Sequence, residues 1–156
     1  MKIITNQKGF SIIELLIVVI IIGIIAALAI PSLLTSRRAA HEASTAANLR
    51  TVHSAQLTYF STQTNNRTYG DFTDLSTTAG LLDPTWAAAS VVKNTYTYIL
   101  QRNAGNTKYC ISAISSDINA KDFGVSTDGI IYQAANGNLS CANGDLGGTI
   151  TVLDSN

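Results

Sequence analysis

Polar and apolar positions divide the chain into three stretches of different texture. From Leu15 to Ile30 no side chain is polar, and from Leu15 to Ser36 none is charged. At the helical rise those residues reach about 33 Å, close to the roughly 30 Å of a bilayer's hydrocarbon core. From residue 39 to about residue 63 the pattern turns amphipathic. Ala46, Leu49, Val52, Leu57, Tyr59 and Phe60 fall on a broad apolar face, with Arg37, Arg38, Glu42 and Arg50 elsewhere. This predicts one helix from Phe10 to about Thr62, about 80 Å long. Its first half must lie in lipid or against copies of itself, while its second half offers a stripe to a globular head. Ala39, Ala40, Ala43, Ala46 and Ala47 leave room for another helix to approach closely.

Past Thr62 the period changes. Residues 65–90 carry turn formers and two short helical stretches, about 72–79 and 84–90. Asp71 or Thr73 is placed to cap the first, and Asp83 before Pro84 to start the second. Residues 96–102 alternate Tyr96, Tyr98 and Leu100 on one face; residues 108–115 do the same with Tyr109, Ile111 and Ala113, with 103–106 as the turn. Residues 123–126 and 130–133 flank Asp128-Gly129, a strong hairpin signal. The expected fold is α+β: a long N-terminal helical stalk packed on a small four-stranded antiparallel sheet. The loop at 65–93 and the tail at 142–156 are expected to be its exposed, variable parts.

One residue breaks the apolar texture. Glu14 stands inside the boundary of the hydrocarbon run, where an unpaired charge costs several kcal/mol in order of magnitude. It needs a partner. Lys2 and Lys8 precede the run and Arg37 and Arg38 follow it, so charge bias alone does not orient it. Too few residues precede Phe10 to form a domain, so the N-terminus is expected to stay cytoplasmic while the polar remainder is moved across. Two readings leave Glu14 unexplained. A secretory signal peptide would be cut near Ala27-Leu28-Ala29, but the apolar run exceeds the roughly 7–15 residues of a signal core. A plain single-span anchor gives the carboxylate nothing to do.

Lys8-Gly9-Phe10-Ser11-Ile12-Ile13-Glu14 resembles the class III signal of type IV pilins and of type II secretion pseudopilins. The resemblance implies that a prepilin peptidase cuts after Gly9, removing a leader of residues 1–9, and methylates the new amine of Phe10. Glycine suits that position because its backbone can lie extended against a protease. The resemblance also implies that subunits leave the membrane for a helical filament core, where each Glu14 pairs with the Phe10 amine of a neighbour. A subunit out of register would then leave both charges unpaired. Pairing within one chain, one helical turn away, and protonation in lipid are the alternatives for Glu14. Pro31 lacks a backbone donor and should kink or loosen the helix near Ala27, with Gly23 a second soft point. In filaments of this family the helix often melts between a glycine and this proline; an ordinary proline kink is the other reading.

Composition suits a secreted structural head. Only 13% of residues are charged and the formal net charge is zero, so no basic surface invites nucleic acid. The head, residues 63–156, is near the lower end of what packs a core unaided. Cys110 and Cys141 are the only cysteines; across the membrane they favour a disulfide, which by loop closure contributes roughly 3–4 kcal/mol. Many pilins staple this region the same way. Asp117, Asn119, Asp122, Asp145 and Asp154 carry oxygens but lack an EF-hand order and read as solvated. No metal or cofactor is expected. Nor is catalysis: His41 and His53 lie on the stalk and read as solvated, and there is no Gly-x-Ser-x-Gly elbow and no phosphate-cradling glycine loop.

The leading expectation is a structural subunit of a type IV pilus, serving adhesion, twitching motility or DNA uptake. Its stalk is residues 10–62, with residues 10–36 in the inner membrane and the head in the periplasm before assembly. Partners are copies of itself, the prepilin peptidase, and the assembly platform with its ATPase. The alternatives are a type II secretion pseudopilin, for which a calcium loop usually replaces the disulfide, and a monomeric membrane-anchored binding domain.

Overall fold

The computed structural model describes residues 9–64 and 67–153. Lys2, Lys8, Asn65 and Asp154 lie outside the described residues. The chain forms two units, Met1–Arg38 and Ala39–Asn156. Helix α1 (Ile12–Thr62) runs without interruption, including through Gly23 and Pro31. Within the second unit its residues Thr45, Leu49, Val52 and Gln56 are buried, a spacing of three and four that keeps one face on the sheet, with Ala46 and Ala55 buried beside them. Leu57, expected on that face, is exposed because it falls a third of a turn away from the Val52–Gln56 line.

The sheet is wider than four strands. Strands β1 (Ser90–Lys93), β2 (Tyr96–Arg102), β3 (Tyr109–Ser115), β4 (Lys121–Ser126), β5 (Ile131–Ala135) and β8 (Thr151–Val152) form a six-stranded sheet in the order β1-β2-β3-β4-β5-β8. Every neighbouring pair is antiparallel. Strands β6 (Leu139–Ala142) and β7 (Asp145–Gly148) make a separate two-stranded ribbon. The stretch expected to be helical at 84–90 is only a 3-10 turn, Pro84–Trp86, which yields to β1 at Ser90; the Asp83 carboxylate accepts from the Thr85 amide at 2.9 Å, the expected cap. The earlier stretch is helical from Phe72 and continues as a π-helix, Asp74–Thr78. Asp71 caps it by a reciprocal pair: Asp71 Oδ1 accepts from the Asp74 amide at 2.7 Å, and Asp74 Oδ2 accepts from the Asp71 amide at 3.0 Å.

The connecting segment, expected to be exposed, supplies much of the core. Phe72, Leu75, Leu82, Trp86 and Val91 are buried beside Tyr96, Tyr98, Ile111 and Phe123. Gln56 fastens its start to the helix, donating from Nε2 to the Gly70 carbonyl at 2.7 Å and accepting the Gly70 amide at 3.1 Å. This is how a buried amide side chain escapes its desolvation cost. Trp86 packs between Phe72 and Tyr98 with ring centroids 5.3 and 5.1 Å away.

Strand β3 is buried on both faces. Tyr109, Ile111 and Ala113 face one way, Cys110 and Ser112 the other, and all are buried. The second face is covered by the ribbon. Cys110 and Cys141 form a disulfide, joining β3 to β6. At Gly124 on β4 a Cβ would lie 2.8 Å from Leu146 Cδ2 and 3.0 Å from the Ile111 carbonyl oxygen, so only glycine lets the ribbon's Leu146 come this near.

Candidate functional site

The residues singled out at the N-terminus lie together in the first unit. Gly9, Phe10 and Ser11 precede the helix, which begins as the Leu15 amide donates to the Ser11 carbonyl at 3.2 Å. Glu14 falls in the first turn, where a negative charge complements the helix N-terminus. Phe10, Glu14 and Val18 recur at four-residue spacing and, with Leu15, line a shallow cavity of about 250 Å³. Around them the helix has no packing of its own. The large apolar side chains from Ile12 to Leu34 are each at least half exposed, up to 87% at Ile12. This is the one helix among the described residues long and apolar enough to cross a membrane.

Gly23 has open space where a Cβ would stand, so no contact among the described residues requires a glycine there. Beyond Pro31, whose nitrogen cannot donate, hydroxyls turn back onto the backbone. Thr35 Oγ1 donates to the Ser32 carbonyl and Ser36 Oγ to the same carbonyl, each at 2.9 Å.

In the second unit the polar residues serve the fold. His53 is half-buried rather than fully solvated. Its Nδ1 hydrogen-bonds the Tyr109 hydroxyl, and its Nε2 sits 2.7 Å from where a Cβ of Gly129 would be. Burial pushes the imidazole below its usual range, with Asp128 opposing. Its position was readable in the sequence: Leu49, His53, Gln56 and Phe60 recur at spacings of three and four, which sets the histidine on the core-facing side. Tyr109 and Tyr96 are pushed up, chiefly by burial.

Asp122 is likewise not solvated. It is fully buried and accepts from the Ser115 amide at 2.8 Å through Oδ1 and from the Gly137 amide at 2.7 Å through Oδ2. No sequence pattern distinguishes it from a surface acid, because its two short hydrogen bonds come from backbone groups brought in by β3 and the β5–β6 turn, with the Asn136 side-chain amide a longer third at 3.5 Å. Asp145 pairs with Lys108 Nζ at 3.2 Å, and Asp117 Oδ1 accepts from the Asn119 amide at 2.9 Å. Among the described residues no three His, Cys, Asp or Glu side chains converge to hold a metal ion.

An uninterrupted apolar helix with one carboxylate in its first turn, ahead of a sheet head, places the chain among proteins that carry the prokaryotic N-terminal methylation motif. That motif's family model matches residues 4–30. The type IV wide pilus major component PilA4 of Thermus thermophilus is 35% identical over 104 residues, covering 64% of this chain and 77% of its own. The chain belongs to the type IV pilin family. Similarity extends to the type IV major pilin protein PilA of Myxococcus xanthus, 39% identical over 67 residues, which is 43% of this chain but only 29% of that pilin. No solved structure matches. Family membership makes the chain a structural rather than a catalytic protein, and implies processing at the methylation motif and polymerisation.

Proposed function

We propose that the chain is cut after Gly9, is methylated on Phe10, and polymerises through its N-terminal helix into an extracellular type IV pilus. Before assembly it is an inner-membrane protein held by residues 10–36, with its head in the periplasm. An assembly platform and its ATPase draw it into the fibre, which serves adhesion, twitching motility or DNA uptake. Residues 10–62 act as the stalk and residues 63–156 as the head. The observation that supports this reading is Glu14, a lone carboxylate in the first turn of a helix whose apolar surface is uncovered. Within a filament the Phe10 amine of a neighbour neutralises it, turning a burial penalty into a register device. Gly23 and Pro31 mark the stretch where the helix extends during assembly.

Glu14→Ala tests the assembly role. Expected are processed, membrane-inserted subunits and few fibres; a normal fibre yield overturns the pairing. Intact mass on envelope material tests processing, which predicts loss of residues 1–9 and gain of one methyl group. Replacing Gly9 should block that cut.

A further inference from the structure

The turn between β4 and β5 is built as a self-contained piece. Its Gly129 amide donates to the Ser126 carbonyl at 3.0 Å. The Asp128 carboxylate accepts from Ser126 Oγ at 2.9 Å and the Ile130 amide at 3.0 Å through Oδ1, and from the Tyr132 hydroxyl at 2.8 Å through Oδ2. None of these bonds reaches α1. The two ends are anchored in the core, where Val125 and Ile131 are buried. Between them the turn lies against α1 at His53. A Cβ at Gly129 would come within 2.7 Å of His53 Nε2 and 3.0 Å of Cε1, and the φ of +76° there is one that glycine adopts freely.

The imidazole beneath the turn has no place for a further hydrogen. His53 Nδ1 and the Tyr109 hydroxyl share a hydrogen bond, and Tyr109, fully enclosed, has no other hydrogen-bond partner among the described residues. A neutral imidazole and a phenol carry two polar hydrogens between them. One lies on the line from Nδ1 to the phenol oxygen. The other sits either on Nε2, toward the turn, or on the phenol oxygen, toward the core. Protonation adds a third, so both positions are filled at once, and the Nε2 hydrogen meets a glycine Cα instead of an acceptor. The neighbouring ionisable groups do not relieve this. Asp128 favours the charged imidazole, but its oxygens already serve three donors and burial outweighs its charge. Tyr69 packs on Tyr109 with ring centroids 4.7 Å apart, Tyr132 is held by Asp128, and Arg50, one turn earlier on α1, is exposed. Water is the acceptor that remains, and lifting the turn admits it.

We propose that residues 126–130 form an acid-released latch: when His53 takes up a proton the turn lifts from α1 and water reaches Nε2 and the Tyr109 hydroxyl, while Val125 and Ile131 stay in the core. The latch belongs to the head alone and does not depend on the pilus reading. Hydroxyl-radical footprinting of the detergent-solubilised full chain at pH of about 7.5 and about 5 reads the opening. Tyr96, equally enclosed but bonded to the Lys121 carbonyl, is the internal reference. For a histidine of ordinary affinity once open, the equilibrium shifts at most about thirtyfold over that range. Labelling of Tyr109 should therefore rise several-fold on acidification while that of Tyr96 stays constant. His53→Gln should hold Tyr109 at its neutral level throughout. Gly129→Ala, whose Cβ cannot share the space with Nε2, should give the acid level of labelling already at neutral pH, with Tyr96 still protected. Tyr109 labelling that ignores pH, a rise that persists in His53→Gln, or a Tyr109 still protected in Gly129→Ala overturns the latch. A parallel rise at Tyr96 shows the whole head loosening and overturns it too.

Discussion

Residues 12–38 and residues 39–62 are consecutive parts of one helix, yet they obey different rules. The first part is apolar on every side from Leu15 to Ile30 and leaves its large apolar side chains exposed; the second buries one face, with Leu49 and Val52 fully enclosed. An all-round apolar surface has no preferred neighbour in water, so its partners must be lipid or other copies. A one-sided stripe has its partner on the same chain. The stability of the head should therefore be insensitive to substitutions in the first part and highly sensitive to them in the second.

That contrast can be broken most directly at two leucines. Leu49→Ala should cost the head about 2–5 kcal/mol by transfer and cavity formation, while Leu28→Ala should leave its unfolding unchanged. Denaturant titration of the detergent-solubilised chain compares them, and equal losses would erase the distinction. Removing the disulfide by Cys110→Ala with Cys141→Ala should cost about 3 kcal/mol, again in the head alone. A smaller effect of opposite sign is expected at Thr45, whose buried hydroxyl has no hydrogen-bond partner among the described residues. Thr45→Val should raise stability by about 1 kcal/mol, read as a higher denaturation midpoint at constant slope.

The smallest effect expected is a pH dependence. Because the folded state lowers the affinity of His53 for its proton, the unfolded chain binds more protons below the ordinary histidine range. The head should therefore lose stability as pH falls through that range and hold it above. His53→Gln should flatten the profile between pH of about 7 and about 5; an unchanged profile would remove His53 as its source.

Sequence patterning reached the elements whose own residues carry a period. The helix, β2 to β5 and the Asp128-Gly129 turn were legible because alternation or helical spacing is written into them. Strand β1 was not: the helical stretch expected from the Asp83-Pro84 start runs to Ser90, and residues 91–93 fall in the expected exposed loop. Strands β6, β7 and β8 are only two to four residues long; β6 and β7 are held by the Cys141–Cys110 disulfide and by Leu146 over Gly124, and β8 by its pairing with β5. Tertiary constraints of that kind leave no local trace. At the N-terminus the reverse holds. Gly9, Phe10 and Glu14 stood out in the sequence because each is locally anomalous, while a single chain cannot display the neighbour that Glu14 is proposed to meet.

The link between Cys110 and Cys141 has a mechanical consequence. A fibre that pulls is loaded along its subunits, and a head that yields would pay out slack. The disulfide closes a loop with a sequence separation of 31 residues, which holds β4 and β5. Tension applied from outside that loop cannot draw out the chain within it, which withholds roughly 100 Å of contour length per subunit. Stretching single fibres before and after reduction should show that length appear.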